Sequence, residues 1–294
     1  MVILRIIKQG NKNYYYLEHT LREGKSFRNK RIYLGNKKPK DIDKLKEKFM
    51  LNILGELYGN QINNIKKTFS KEFSNLPKVA KDSYIESFMI KFTYNTNRIE
   101  GSTLTLKQTA DLLQEHITPK NKPLRDVKEA ESHGKVFYDM LNYNKELSLS
   151  AVLHWHKQLF QDSELEIAGN IRKHSVAIAR SKVELPLAVE LDVLLKEFFK
   201  WYRNAKDKLN PVILAALVHL KFVTIHPFSD GNGRISRLMM NFILHSKSYP
   251  MLSIDYSNRN TYYNALERSQ LKNNDYFFVQ YLLKRYIKNY ENYK

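Results

Sequence analysis

The spacing of apolar residues changes its period along this chain. Near the N-terminus, residues 3–8, 14–22 and 27–34 are short runs rich in Ile, Tyr and other β-favouring types. They are separated by QGNKN and REGKS, which carry turn residues. Together they predict a three-stranded meander that ends at Gly35, with NKKPKD as a break after it. From Asp41 the period lengthens, and Leu45, Phe49, Ile53 and Leu57 recur every four residues, as on one face of a helix. Pro77 and the polar KVAKD mark a boundary, beyond which the chain reads as helical almost to its end. The expected organisation is a β-meander module over 1–40, a linking helix over 41–77 and a helical domain over 78–294. One stretch breaks the helical pattern: NIRKHSVAIARSK (170–182) alternates as a β-hairpin would.

Within the helical part, Asn210-Pro211 is a helix start, with Asn as the cap and Pro in the first turn. The run VILAALVHLKFV is apolar almost all round, which predicts a buried helix. That helix must stop before Pro227, because the residue ahead of a proline is pushed out of helical geometry. A second helix follows, with Ile235, Leu238, Met239, Phe242 and Ile243 on one face and Arg234, Arg237 and Asn241 on another. Further upstream, an amphipathic helix from near Asp82 runs to TNRIEG (96–101), where Gly101 is a natural stop. Thr105 and Gln108 have the spacing of a capping box that opens the next helix.

Composition narrows the function classes. The 294 residues include no cysteine, which excludes disulfides, thiolate chemistry and cysteine-ligated zinc. No run of roughly 18 apolar residues predicts a transmembrane helix. The start, MVILRIIKQG, lacks the pattern of a signal peptide, so the expectation is a cytoplasmic protein with no membrane partner. The net charge is +19, and residues 1–50 carry 14 Lys and Arg against 5 Asp and Glu, a net +9. That concentration suits either a solvated face or a partner of opposite charge, whether a nucleic acid or an acidic protein surface. His154, His156 and His219 lie in helical runs and read as satisfied core histidines, and no HExxH or comparable zinc spacing occurs.

The stretch HPFSDGNGRISR (226–237) concentrates the chemistry. It places His226 at the mouth of a loop and Gly231-Asn232-Gly233 in the first turn of the next helix. There glycines let a ligand approach and free N–H groups favour an anion. Arg234 and Arg237 are i, i+3 neighbours that can face one ligand. Asp230 beside an anion site is self-defeating unless a divalent cation lies between, and Mg²⁺ is bound in this way, through one carboxylate plus phosphate oxygens. The stretch is neither a Walker loop nor a dinucleotide fingerprint.

HPFSDGNGRISR resembles the Fic (filamentation induced by cAMP) signature at every defined position, and weaker matches, AGNIR (168–172) and YYNALE (262–267), extend the resemblance over roughly 80–290. It implies a mainly α fold, a Fic helical bundle with a β-hairpin flap, here preceded by the small β-meander. It also implies AMP transfer from ATP, with Mg²⁺, to a Ser, Thr or Tyr hydroxyl of a target protein. His226 would then be the general base and Asp230 the metal ligand. Gly231, Asn232 and Gly233 would cradle phosphates, with Arg234 and Arg237 neutralising them. Phe228 would pack beneath the loop. TNRIEG resembles the [S/T]xxxE[G/N] inhibitory motif of class II members, on a helix over about 83–101, in which Glu100 would hold Arg237 away from the γ-phosphate. Segment 170–182 would be the flap that receives the target backbone as an added strand, with Val176, Ala177, Ile178 and Ala179 at the nucleoside. Tyr262 and Tyr263 would contact the nucleoside as well, and Gln270 stands where related proteins often carry Asn. The resemblance leaves open removal of AMP from a modified target, other nucleotidyl or phosphoryl transfer, self-modification and a homodimer. A different class also stays open: a nucleic-acid-binding regulator acting through the basic N-terminal module.

Overall fold

The computed structural model describes residues 2–23, 26–178 and 181–293. The chain divides into two compact units, Met1–Gly59 and Asn60–Lys294. The first holds the meander: β1 (Ile3–Gln9), β2 (Lys12–Glu23) and β3 (Ser26–Gly35), antiparallel in the order β1-β2-β3. Gln9 pairs with Lys12, so Gly10-Asn11 is a two-residue hairpin connection, and Gly10 takes the positive φ of +56° that such a tight turn requires. A register shift between Tyr15 and Tyr16 marks a bulge against β3.

One face of the sheet packs on the next element, α1 (Ile42–Asn75). Leu17 and Leu21 from β2 meet Phe49 and Ile53 of the helix, flanked by Val2, Leu4, Leu34, Leu45 and Leu57. The four-residue apolar spacing therefore buries the stripe it predicts. The same packing puts the division between units at Gly59, inside the helix, rather than at the ends of the expected linking segment 41–77. The first half of α1 supplies the apolar stripe on which the small sheet closes.

The second unit is helical among its described residues. It comprises α2 (Lys78–Ile99), α3 (Leu106–Gln114), α4 (Leu124–Asn142), α5 (Leu149–Phe160), α6 (Leu191–Ala205), α7 (Pro211–Ile225), α8 (Asn232–Ser246), α9 (Arg259–Leu271) and α10 (Tyr276–Asn289). The local start signals act as expected. Asn210 Oδ1 accepts from Val212 N–H at 2.9 Å ahead of Pro211, and Thr105 and Gln108 close a capping box at 3.2 and 3.1 Å. The helix carrying TNRIEG begins at Lys78, a turn earlier than the amphipathic pattern suggests.

α7 and α8 form the centre of this unit. α7 is buried on nearly every side, from Val212 to Ile225. α8 is buried as well, and its polar stripe is interior: Arg234, Arg237 and Asn241 are all enclosed. Asn241 is satisfied there by the Leu252 backbone, donating to its carbonyl at 3.0 Å and accepting from its N–H at 2.7 Å. The expected flap hairpin takes another form. Its described residues, 170–178 and 181–182, form no strand pairing, although Val176, Ala177 and Ile178 alternate half-buried and exposed. No helix among the described residues is long and apolar enough to cross a membrane.

Candidate active site

α7 delivers His226. The helix ends there because His226 adopts a left-handed conformation, φ 52° and ψ 55°, as its C-cap ahead of Pro227. Its Nδ1 lies 3.1 Å from the Val223 carbonyl, which can only accept, so Nδ1 carries the proton and Nε2 keeps its lone pair. Burial above all, opposed by that carbonyl and reinforced by the nearby Arg172 guanidinium, pushes the His226 pKa below the usual imidazole value. The ring is therefore a neutral base at pH 7.

The loop from 227 to 231 is held rigidly. Phe228 is fully buried and stacks on His156 with centroids 3.7 Å apart and planes at 14°. The Asn232 side chain accepts from Phe228 N–H at 2.9 Å and donates to Phe228 C=O at 2.8 Å. The Asn232 side-chain amide is committed to the loop, so what it can offer a phosphate is its backbone N–H at the start of α8. Gly231 caps α8 with φ +80°, and a Cβ there would run into the Phe160 ring, with His156 Nε2 at 3.4 Å.

Asp230 sits in a network of charges. Its carboxylate accepts from Arg125 Nη2 at 2.8 Å, Arg234 Nη2 at 3.1 Å and Gly231 N–H at 2.5 Å. Burial raises its pKa, but Arg234, the Gly231 N–H and Arg125 outweigh that and hold it below the usual carboxylate value. Arg234, with a side chain 1% exposed, is also paired with the buried Glu129 and lies 4.6 Å over the Phe160 ring. Arg234, expected to neutralise phosphate charge, is here balanced by two carboxylates. No cluster of three His, Cys, Asp or Glu side chains able to hold a metal exists among the described residues. A single carboxylate fits Mg²⁺ only when phosphate oxygens complete the shell, which is how that ion is held beside nucleotides.

Arg237 and Glu100 meet across 137 residues of sequence. Arg237 Nη2 donates to Glu100 Oε1 at 2.5 Å, while its Nε donates to Thr96 Oγ1 at 2.6 Å and Nη2 also to the Thr96 carbonyl at 3.2 Å. Glu100 arrives there as the C-cap of α2, followed by Gly101 at φ +104°. Gly233 makes room for it, since a Cβ on Gly233 would overlap the Glu100 carboxylate and sit 3.1 Å from Arg237 Nη1. Burial works against the Arg237 charge, yet the Tyr262 oxygen and the Glu100 carboxylate hold its pKa above the ordinary arginine value.

Tyr262 and Tyr263, both expected at the nucleoside, differ in exposure. Tyr262 is 1% exposed, and its hydroxyl accepts from Arg237 Nη1 at 3.1 Å and lies 3.0 Å from His219 Nε2. It is an interior strut for Arg237 rather than a surface for a base. Tyr263 is 42% exposed, and its hydroxyl donates to the Ile99 carbonyl at 2.9 Å, next to Glu100. Gln270 donates to Thr224 Oγ1 at 3.2 Å. Val176 and Ile178 are half-buried and Ala177 exposed, while Ala179 lies outside the described residues. Of the three helical histidines, His156 and His219 are fully buried, whereas His154 is exposed and paired with Asp139 at 3.4 Å.

Four residues with site contacts carried no role in the sequence. Arg125 and Glu129 are an i, i+4 pair on α4, a recognisable spacing whose target, 105 residues away, is not legible locally. Arg172, 3% exposed, donates to the carbonyls of His226 (2.8 Å), His174 (2.8 Å) and Pro186 (2.7 Å). His156 accepts from Gly169 N–H at Nδ1 (2.9 Å), so its Nε2–H donates to the Asp230 carbonyl at 3.1 Å. Burial chiefly pushes its pKa down to about 4, which keeps it neutral.

Fold and site define a helical domain built on a central helix pair with a histidine-to-arginine loop between them. Residues 146–244 match the Fic/DOC family. "Protein adenylyltransferase Fic" of Aedes aegypti is 30% identical over 197 residues, covering 65% of this chain and 38% of that protein. The protein of the same name from Nematostella vectensis is 28% identical over 210 residues, covering 69% and 48%. Among solved structures, a Fic domain containing signaling protein from Bacteroides thetaiotaomicron superposes with a TM-score of 0.71 at 29% identity, covering 78% of this chain and 95% of that one. The Fic resemblance of the sequence is thus matched by a family model over 146–244, by relatives named for the same domain and by a solved Fic structure. The chain spans less than half the length of the two adenylyltransferase relatives described.

Proposed function

We propose that this chain is an autoinhibited protein adenylyltransferase that moves AMP from ATP to a Ser, Thr or Tyr hydroxyl of a target protein, and to itself. The observation that carries the reading is the Glu100–Arg237 pair lodged against Gly233 at the start of α8. In the active state His226 Nε2 takes the proton of the target hydroxyl as its oxygen bonds to the α-phosphorus. The bond from that phosphorus to the α–β bridging oxygen breaks, and pyrophosphate leaves. The N–H groups opening α8 face the phosphates, and Arg237, once released, meets the γ-phosphate. Mg²⁺ held by Asp230 would offset the phosphate charge. Segment 170–182 would dock the target backbone as an added strand, giving a partner to the described residues that form no strand pairing.

In the resting state the Glu100 carboxylate consumes the Arg237 cation and repels a phosphate from the same place. Glu100→Gly is therefore expected to raise self-labelling from α-labelled ATP. A factor of ten corresponds to about 1.4 kcal/mol of coupling, and a shielded pair of this kind supports a rise of roughly ten-fold to a thousand-fold. The double variant Glu100→Gly, Arg237→Ala loses that gain. An unchanged rate in Glu100→Gly overturns autoinhibition by this residue. If removing Glu100 instead abolishes release of AMP from a pre-modified target, the enzyme works in the reverse direction.

A further inference from the structure

The outward face of the N-terminal sheet carries side chains that do not pack on α1. Side chains alternate along a strand, and the inward set (Leu4, Leu17, Leu21) lies on α1. The register places Ile3, Glu18 and Arg31 in one row across the opposite face, and Arg5, Tyr16 and Tyr33 in the next. A solvent-facing sheet surface is normally polar. This one exposes Tyr33 by 54%, Phe27 by 70% and Ile3 by 51%.

The aromatic and cationic groups on this face are ordered with respect to one another. Tyr33 lies between Tyr16 and Tyr14, with ring centroids 5.2 and 6.2 Å away. The Arg31 guanidinium rests 5.2 Å over the Tyr16 ring. Glu18 accepts from Arg5 at 3.0 Å and from Arg31 at 3.1 and 2.8 Å. Its side chain is only 9% exposed between them, so it orients two cations and presents little negative charge of its own. Lys12, opposite Gln9 at the strand end, extends the basic edge, within a segment 1–50 of net charge +9 (14 Lys and Arg, 5 Asp and Glu).

We infer that this face binds single-stranded nucleic acid, with bases stacked on Tyr16 and Tyr33 and phosphates met by Arg5, Arg31 and Lys12. Stacked bases on aromatic rings, with a basic track for the backbone, are the two parts of such a site. Duplex DNA keeps its base faces stacked inside and has no use for exposed tyrosine rings. An acidic protein would engage the cations and leave the rings without a counterpart.

The test is fluorescence anisotropy of the full chain with a labelled 12-nucleotide oligothymidylate, between 50 and 200 mM salt. Tyr33→Ala and Tyr16→Ala are each expected to weaken binding roughly ten-fold, while Tyr33→Phe stays within about two-fold. Lys12→Gln should lower the salt slope by about 0.7, the value for one phosphate contact on a single strand. Far-ultraviolet circular dichroism checks that each variant is folded, and the half-exposed Tyr33 carries the test if Tyr16→Ala is not. Three results overturn the inference: no binding at 50 mM salt, affinity unchanged in Tyr33→Ala, or duplex of the same length bound as tightly as the single strand. Preferential binding of polyglutamate would assign the face to an acidic protein and overturn it equally.

Discussion

His226 shows how far a single residue's surroundings prepare it for its proposed role. A histidine free in water is half protonated near pH 6.5 and would lose base capacity just below neutrality. Here burial and the Arg172 guanidinium lower that value, and the Val223 carbonyl fixes the proton on Nδ1. A depressed pKa means that the neutral form persists to lower pH, so base activity is retained at pH 6.5 and lost only as pH falls through the lowered value. Label transfer by the Glu100→Gly variant should therefore stay level from pH 8 to 6.5 and decline below it, and His226→Ala should abolish transfer while ATP binding survives. An acid limb centred above pH 7, or transfer by His226→Ala comparable to its parent, would remove His226 from the role. The candidacy of His226 was legible in the sequence because it depends on neighbours along the chain, Pro227 above all. The tautomer was not, because it depends on where a carbonyl three residues back points once α7 is folded.

At the scale of elements, segment 170–182 is tied at both ends. Arg172 holds the near end to the loop after α7 through the carbonyl of His226, and its own N–H bonds the Pro227 carbonyl at 3.0 Å. Glu267 of α9 holds the far end, accepting from Ser181 Oγ at 2.9 Å and Lys182 N–H at 3.1 Å. Arg172→Met would leave three carbonyls without their donor, at a cost of about 1–3 kcal/mol for a buried group left unsatisfied. Local opening should rise roughly ten-fold per 1.4 kcal/mol, so trypsin should cleave after Lys173 and Lys182 about ten-fold faster with the rest of the chain intact. An unchanged cleavage rate would show that the anchor is idle. Starts of helices were readable beforehand, as at Asn210-Pro211 and Thr105–Gln108, since a cap and its partner lie within three residues. The Glu129–Arg234 and Thr96–Arg237 contacts were not, since each joins residues more than 100 positions apart. The surroundings of Tyr262 belong with these: whether a helical tyrosine faces a ligand or an interior arginine is decided by packing alone.

For the whole helical unit, the interior of α8 sets a limit on acid stability. Its two enclosed arginines are surrounded by histidines that burial keeps neutral. His133 is pushed down to about 3, by burial first and then by Arg234 and Arg237. His156 falls to about 4, again with burial leading, and His219 drops well below its ordinary value. All three depend on being uncharged: His133 Nδ1 lies 2.8 Å from Thr93 Oγ1, and His219 Nε2 faces the Tyr262 hydroxyl. In the unfolded chain these rings take up protons as pH falls below about 6.5, whereas the folded protein does not. The unfolded state therefore binds more protons, and stability is full above pH 6.5 and lost progressively as pH falls toward 4. At roughly 1.4 kcal/mol per pH unit, His133 and His156 would each remove about 3 kcal/mol by pH 4, a large share of a typical total of about 5–15 kcal/mol. Urea midpoints measured at pH 7, 6, 5 and 4.5 should fall steeply over the last three. His156→Gln keeps an acceptor for Gly169 and a donor for Asp230 but cannot be protonated, so its midpoint should fall less steeply over the same range. A wild-type midpoint constant from pH 7 to 4.5, or a His156→Gln profile parallel to wild type, would show that these buried rings do not govern acid stability.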